Sequence, residues 1–149
     1  MNGATYLIDD INMSLRESPN EDLVTTILVA EDEPLLQEFV STVLRSQGYR
    51  VLLANDGVEA LKIWNAEQDS IDLLITDIVM PNGISGRELG RLLLEDRPNL
   101  RIIYTSGYNP ELIGSDISEE KNRYFLPKPY PTNRLIELVT KVLRTTPTV

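Results

Sequence analysis

The sequence predicts an α/β fold: one parallel five-stranded sheet with helices on both faces. Three observations carry that reading. Short, almost wholly apolar runs recur along the chain, as strands buried on both faces require. Between them lie segments with apolar residues at helical spacing. Connections are short and punctuated by Gly, Pro, Asn and Asp.

The first strand is Thr26-Ile27-Leu28-Val29-Ala30. Glu31-Asp32-Glu33-Pro34 follows, with Pro34 suited to a first helical turn and the acids to a helix N-terminus. That helix carries Leu36, Phe39, Val40, Val43 and Leu44 on one side and ends at Gly48. Arg50 to Ala54 is the second strand. Asn55-Asp56-Gly57 turns into a second helix with Val58, Leu61 and Trp64. The third strand runs from Ile71 to Thr76, and Pro81-Asn82-Gly83-Ile84-Ser85-Gly86 is a loop. A third helix carries Leu89, Leu92 and Leu93. Pro98-Asn99 breaks the chain before a fourth strand, Leu100 to Thr105. Asn109-Pro110-Glu111 reads as a capped start to a helix reaching Glu120. Arg123 to Leu126 is a short fifth strand. Pro131 opens a last helix with Leu135, Leu138, Val139, Val142 and Leu143 on one face.

Five β-α units with short loops and right-handed crossovers allow a flavodoxin-like, doubly wound order, 2-1-3-4-5. Ligands in such sheets sit beyond the carboxyl ends of the strands, where strand order reverses between strands one and three.

At 149 residues the chain is one domain rather than two. We expect a tail or linker over residues 1–24, the folded domain over 25–145 and a short tail over 146–149. The first segment is rich in Asn, Ser, Asp and Glu. Its Leu7, Ile11 and Leu15 recur every four residues, the spacing of a short amphipathic helix that would suit pairing with a second copy, a homodimer. A floppy tail is the favoured alternative, because an isolated helix of that length is marginal in water.

The net charge is −9, which disfavours nonspecific attraction to nucleic acid or anionic membrane. With no cysteine there is no disulfide framework, thiol nucleophile or thiolate metal site. With no histidine there is no imidazole base or ligand. No run approaches membrane-spanning length and no signal-peptide pattern opens the chain, so a cytoplasmic location is expected. No DNA-binding domain is expected after Leu143.

The predicted strand ends bring several functional groups to one sheet edge. Leu73-Leu74-Ile75-Thr76-Asp77 is an apolar run ending in one carboxylate. Glu31 and Asp32 leave the neighbouring first strand, Ser106 ends the fourth, and Lys128 follows the fifth in Leu126-Pro127-Lys128-Pro129. Taken singly, each has an ordinary explanation as a turn residue, a helix-start acid or a surface lysine. Their coincidence at matching strand ends is what points to chemistry. Crowded carboxylates call for a divalent cation, and hard oxygen ligands favour Mg²⁺. A lysine and a hydroxyl opposite it complete a clamp for a transferring phosphoryl group, with a carboxylate as nucleophile.

Four motifs then carry a resemblance: Leu28-Val29-Ala30-Glu31-Asp32-Glu33, Thr76-Asp77-Ile78-Val79-Met80-Pro81, Tyr104-Thr105-Ser106-Gly107 and Leu126-Pro127-Lys128-Pro129. From about Thr26 to Leu143 the chain resembles the receiver domain of two-component response regulators, most of all receivers attached to hybrid sensor histidine kinases. The resemblance implies Asp77 as phosphoacceptor and Glu31 with Asp32 as the acidic pair holding Mg²⁺. It implies the backbone carbonyl of Val79 as a further ligand and Lys128 as the phosphoryl-pairing cation. Ser106 becomes the switch hydroxyl and Phe125 the aromatic switch residue. It implies a cis peptide between Lys128 and Pro129. The implied partner is a sensor histidine kinase or a histidine phosphotransfer domain, from which a phosphohistidine delivers the phosphoryl group. Such a module catalyses only its own phosphorylation and dephosphorylation. Three positions depart from the commonest pattern. Glu31 replaces an Asp, Phe125 stands where Tyr is frequent, and Asn82-Gly83 lengthens the loop after Pro81 by one residue.

Two other functions compete with this one. A phosphatase of the haloacid dehalogenase type wants a second Asp two residues after the first, where this chain has Val79. A receiver-like module working without phosphorylation is disfavoured by the intact acidic pair, Asp77, Ser106 and Lys128.

Overall fold

The computed structural model describes residues 24–107 and 121–145. The helix expected over 109–120, the tail over 1–23 and residues 146–149 lie outside them. Five parallel strands are present: β1 (Thr26–Ala30), β2 (Arg50–Ala54), β3 (Leu73–Asp77), β4 (Arg101–Ser106) and β5 (Arg123–Pro127). Their order is β2-β1-β3-β4-β5, as the sequence predicts. Among the described residues four helices connect or flank them: α1 (Pro34–Ser46), α2 (Gly57–Glu67), α3 (Gly86–Asp96) and α4 (Thr132–Arg144).

Pleating sends alternate residues of each strand to opposite faces. On β1, Ile27 and Val29 join a core layer with Val40 and Leu44 of α1 and Leu135 and Val139 of α4. Leu28 and Ala30 join the other layer, with Trp64 of α2 and Leu89 and Leu93 of α3. Both layers are closed to solvent, which explains why the strands read as continuous apolar runs.

Helix ends follow local chemistry. Asp56 caps α2 by accepting from the Glu59 amide at 2.8 Å, and Ser85 caps α3 by accepting from the Glu88 amide at 3.1 Å. Pro34 occupies the first turn of α1. The last helix begins one residue later than its opening proline, because Pro131 serves as the N-cap, with Thr132 first in the helix. At the other end of α4, Arg101 of β4 donates to the carbonyls of Val142, Leu143 and Thr145 at 3.2, 3.3 and 3.0 Å. These are groups a helix C-terminus leaves without internal partners.

The third strand is displaced from its predicted span. Ile71 follows a 3₁₀ turn, Gln68–Ser70, that the sequence reading missed, and the strand includes Asp77. Strand β4 likewise runs one residue further, to Ser106. Both shifts have one cause. Asp77 pairs in register with Thr105, and the next amide, Ile78, donates to the Thr105 carbonyl at 2.9 Å. The backbone ladder persists under side chains whose polarity reads as a loop.

Trp64 is fully buried and bolts α2 to α3: its indole N–H donates to Asp96 at 2.7 Å. The Arg97 guanidinium lies 5.1 Å from the ring centroid and donates to the Ile71 carbonyl. Gly86 opens α3 directly against the Asp77 backbone, where a Cβ would overlap the Asp77 carbonyl oxygen. Only glycine lets α3 start there.

Candidate functional site

The carboxyl ends of β1 and β3 meet where strand order reverses. Carboxylate oxygens of Glu31, Asp32 and Asp77 lie within 4.8 Å of one another. Glu31 and Asp77 are buried and Asp32 is exposed, so the cluster has a floor and an open mouth. Lys128 reaches in from the end of β5. Its ammonium donates to Asp77 Oδ2 at 3.0 Å and stands 3.2 Å from Glu31 Oε1. A backbone hydrogen bond holds this lysine in place, its amide donating to the Ser106 carbonyl at 2.9 Å. The Lys128–Pro129 peptide is cis, as the resemblance implies.

The two oxygens of Glu31 have different partners. Its longer side chain folds back so that Oε2 accepts from the Glu33 amide at 3.0 Å, while Oε1 meets Lys128. Asp77 Oδ1 accepts from the Val79 amide at 3.3 Å, which draws the β3–α3 loop over the carboxylate. The Val79 side chain is half exposed at this mouth.

Electrostatics follow from crowding. Burial pushes the Glu31 carboxyl above its ordinary range; the Glu33 amide and Lys128 offset this in part, and the Asp77 charge adds to it. Burial alone would lower the Lys128 ammonium, but the hydrogen bond to Asp77 and the charges of Glu31 and Asp77 outweigh it and hold its pKa above the usual value. The cluster therefore keeps its lysine charged.

Ser106 ends β4, is buried, and lies one register step beyond the Asp77 partner Thr105. Phe125 is the register partner of Tyr104 and packs, partly buried, on the α2–α3 side of the sheet, the side on which alternation also places Ser106.

Two features escaped the sequence reading. Tyr130, two residues after Lys128, packs against Phe39 with ring centroids 6.3 Å apart, and burial beside Glu31 and Asp77 raises its phenol far above the ordinary value. Its place after Lys128-Pro129 was the available signal. Gln37 donates to the Glu31 carbonyl and to Asn55 Oδ1, both at 3.0 Å, and no pattern in the chain marks it.

Residues 27–140 match the family described as response regulator receiver domain. The chain belongs to that family. Among curated relatives, it is 33% identical over 118 residues to the sensor kinase CckA of Brucella abortus, covering 79% of this chain but 12% of that kinase. It is 31% identical over 117 residues to the response regulator receiver protein CpdR of the same organism, covering 78% of this chain and 95% of CpdR. Among solved structures, the receiver domain from the hybrid histidine kinase CckA superposes with a TM-score of 0.68 at 36% identity, covering 79% of this chain and 98% of that one. The receiver accordingly functions as a phosphoryl-accepting module of two-component signalling. Its relatives include the receiver of a histidine kinase. Among the described residues no helix is long and apolar enough to cross a membrane.

Proposed function

We propose that Asp77 is the phosphoacceptor and that a phosphohistidine on a sensor histidine kinase or histidine phosphotransfer domain is the donor. The carrying observation is the Asp77 carboxylate, held at the β3 end within reach of one ammonium and two further carboxylates. An Asp77 oxygen attacks phosphorus, the P–O bond forms as the P–N bond to imidazole breaks, and the leaving imidazole takes up a proton. Lys128 balances the oxygens of the transferred group. Ser106 supplies a hydroxyl that donates to the same group. Its own chemistry is limited to forming and hydrolysing the acyl phosphate on Asp77.

The donor set fits Mg²⁺. Three carboxylates cluster there, one lysine pairs with only two of them, Glu31 and Asp77, and all the donors are hard oxygens. Glu31, Asp32, Asp77 and the Val79 carbonyl would hold it. Bound there, the ion supplies positive charge that offsets the acids and the incoming phosphoryl group. Labelling with acetyl phosphate, read by intact mass, tests the assignment: wild type gains one phosphoryl group in Mg²⁺ and Asp77→Asn gains none. Undiminished labelling of that variant would sink it.

Readout runs through Ser106 and Phe125. Inward movement of the Ser106 hydroxyl frees space beside β4, and the Phe125 ring turns into it. Phe has no hydroxyl, so inward rotation buries no polar tip, and an inward population exists before phosphorylation. Aromatic NMR with and without beryllofluoride tests this: Phe125 shifts together with Ser106 and Lys128. A static Phe125 beside responsive Ser106 and Lys128 would mean another route. The receiver is assigned to residues 25–145, with tails on either side, a cytoplasmic location, no direct nucleic-acid contact and, if residues 1–24 form a helix, pairing of two copies through that segment. A mass in solution that stays monomeric with that segment present would remove the last.

A further inference from the structure

The lengthened β3–α3 loop is fastened to a part of the molecule outside the phosphorylation site. Asn82 holds φ at +67° and Gly83 at +87°, so the loop makes two consecutive left-handed residues. That bend brings the Asn82 amide to Asp56, where Nδ2 donates to Oδ2 at 2.6 Å. Asp56 is not a loose acceptor. Its other oxygen, Oδ1, caps α2 by accepting from the Glu59 amide at 2.8 Å, and the Glu59 carboxylate in turn accepts from the Asn55 amide at 2.6 Å. Asn55 in turn accepts from Gln37, which also donates to the Glu31 carbonyl. Polar contacts thus run from the backbone of Glu31, through the β2–α2 turn, to the loop that carries Val79.

We propose that Asp56 and Asn82 are positioning residues: their hydrogen bond fixes the β3–α3 loop and so sets the affinity of the acidic cluster for Mg²⁺. The loop spans only Ile78 to Ser85 between β3 and α3, and its two ends are already held. The Ile78 amide donates to Thr105 and the Gly86 amide to the Ile78 carbonyl, at 2.9 and 2.7 Å. Val79 lies between those anchors and the Asn82 tether. Releasing the tether loosens the segment bearing the Val79 carbonyl, whose amide keeps the long 3.3 Å hydrogen bond to Asp77 Oδ1, without altering any carboxylate of the cluster. A ligand that must first be immobilised binds more weakly. The inference rests on the reading of the cluster as a Mg²⁺ site.

Charge separates this role from a general electrostatic one. Asn82→Asp keeps a residue that tolerates a left-handed backbone but sets carboxylate against carboxylate. The added negative charge by itself would tighten Mg²⁺ binding, whereas loss of the tether weakens it. Asn82→Gly removes the donor and keeps the backbone freedom. The exchanged pair D56N/N82D has the charge of wild type and restores the hydrogen bond with donor and acceptor reversed. Asn is as good an N-cap as Asp, so α2 keeps its cap.

Calorimetric titration of the metal-free proteins with MgCl₂ tests the proposal. Asn82→Gly and Asn82→Asp should each raise the Kd by about threefold to tenfold, below the 10–100-fold typical of a direct partner of a metal ligand. The exchanged pair should return it to within about twofold of wild type. Amide exchange at Val79 should quicken in the single variants and return in the pair. An unchanged Kd in Asn82→Gly, or an exchanged pair as weak as Asn82→Asp, overturns the proposal. Asp32→Ala is titrated alongside. Binding retained in that variant overturns the metal-site reading itself, so the two failures are distinguishable.

Discussion

The Lys128 ammonium stands 3.0 Å from Asp77 and completes a bridge to Glu31 at 3.2 Å. One cation serves two buried carboxylates. Removing it leaves both uncompensated, so Lys128→Met should lower metal-free stability by roughly 3 kcal/mol, the lower end of the range for breaking a buried pair. Because Mg²⁺ replaces the lost charge, the variant should gain more from the ion than wild type does. Urea unfolding with and without Mg²⁺ measures both. Equal metal-free stability in the two proteins would show that the bridge contributes nothing.

The elevated Glu31 carboxyl makes a pH prediction. A group whose folded pKa exceeds its ordinary 4.5 binds protons more tightly in the folded chain, so metal-free stability falls as pH rises from 4.5 through the folded pKa. Glu31→Gln stays neutral throughout and lacks this decline. Its stability relative to wild type should therefore improve between pH 4.5 and 8, measured by chemical unfolding. A difference that stays constant across the range would contradict the raised carboxyl.

Mg²⁺ should raise the melting temperature of wild type, since an ion that binds only the folded chain stabilises it by about 2.7 kcal/mol at a hundredfold excess over Kd. Asp32 is the exposed member of the cluster. Asp32→Ala should lose the metal response, and with one repelling carboxylate gone the metal-free protein should be no less stable than wild type. Equal Mg²⁺ responses would refute a ligand role for Asp32.

With Asp77 as the phosphoacceptor, Val79 should influence the lifetime of the acyl phosphate. Hydrolysis needs a water in line with the bond to the Asp77 oxygen, and a half-exposed aliphatic side chain at the mouth cannot orient one. Val79→Asn should shorten the half-life of the phosphorylated protein, followed by mass after removal of the phosphodonor. The sequence reading sets Tyr108 with Val79 as the side chains flanking that path, and Tyr108 lies outside the described residues. A half-life unchanged or lengthened in Val79→Asn would reject the account.

How much of this was legible depended on where each signal lies along the chain. Thr26–Ala30 reads correctly because both faces of β1 are buried and every residue suits a buried strand. Asp77 was legible as a site residue but not as part of β3, because its backbone stays in the ladder while its side chain leaves it. The meeting of Asp77 with Lys128 followed from topology: parallel strands present their ends at one edge. The Asp56–Asn82 and Trp64–Asp96 contacts did not follow. They join residues 26 and 32 positions apart through side-chain directions that no periodicity encodes. Glu31 lies between these cases: its presence at the site was legible, while its return to the Glu33 amide depends on one additional methylene.

The buried Trp64 has a consequence for anyone observing this protein in solution. It is the only tryptophan in the chain. It sits near the far end of α2, roughly 10 Å along the helix from Gly57 at the 1.5 Å rise per residue. Its neighbours Asp96 and Arg97 lie where α3 gives way to the approach to β4. Intrinsic fluorescence therefore monitors the weld between α2 and α3, which breaks when the domain unfolds. It is a dedicated optical gauge of folding, set apart from the edge of the sheet where ions and phosphoryl groups arrive.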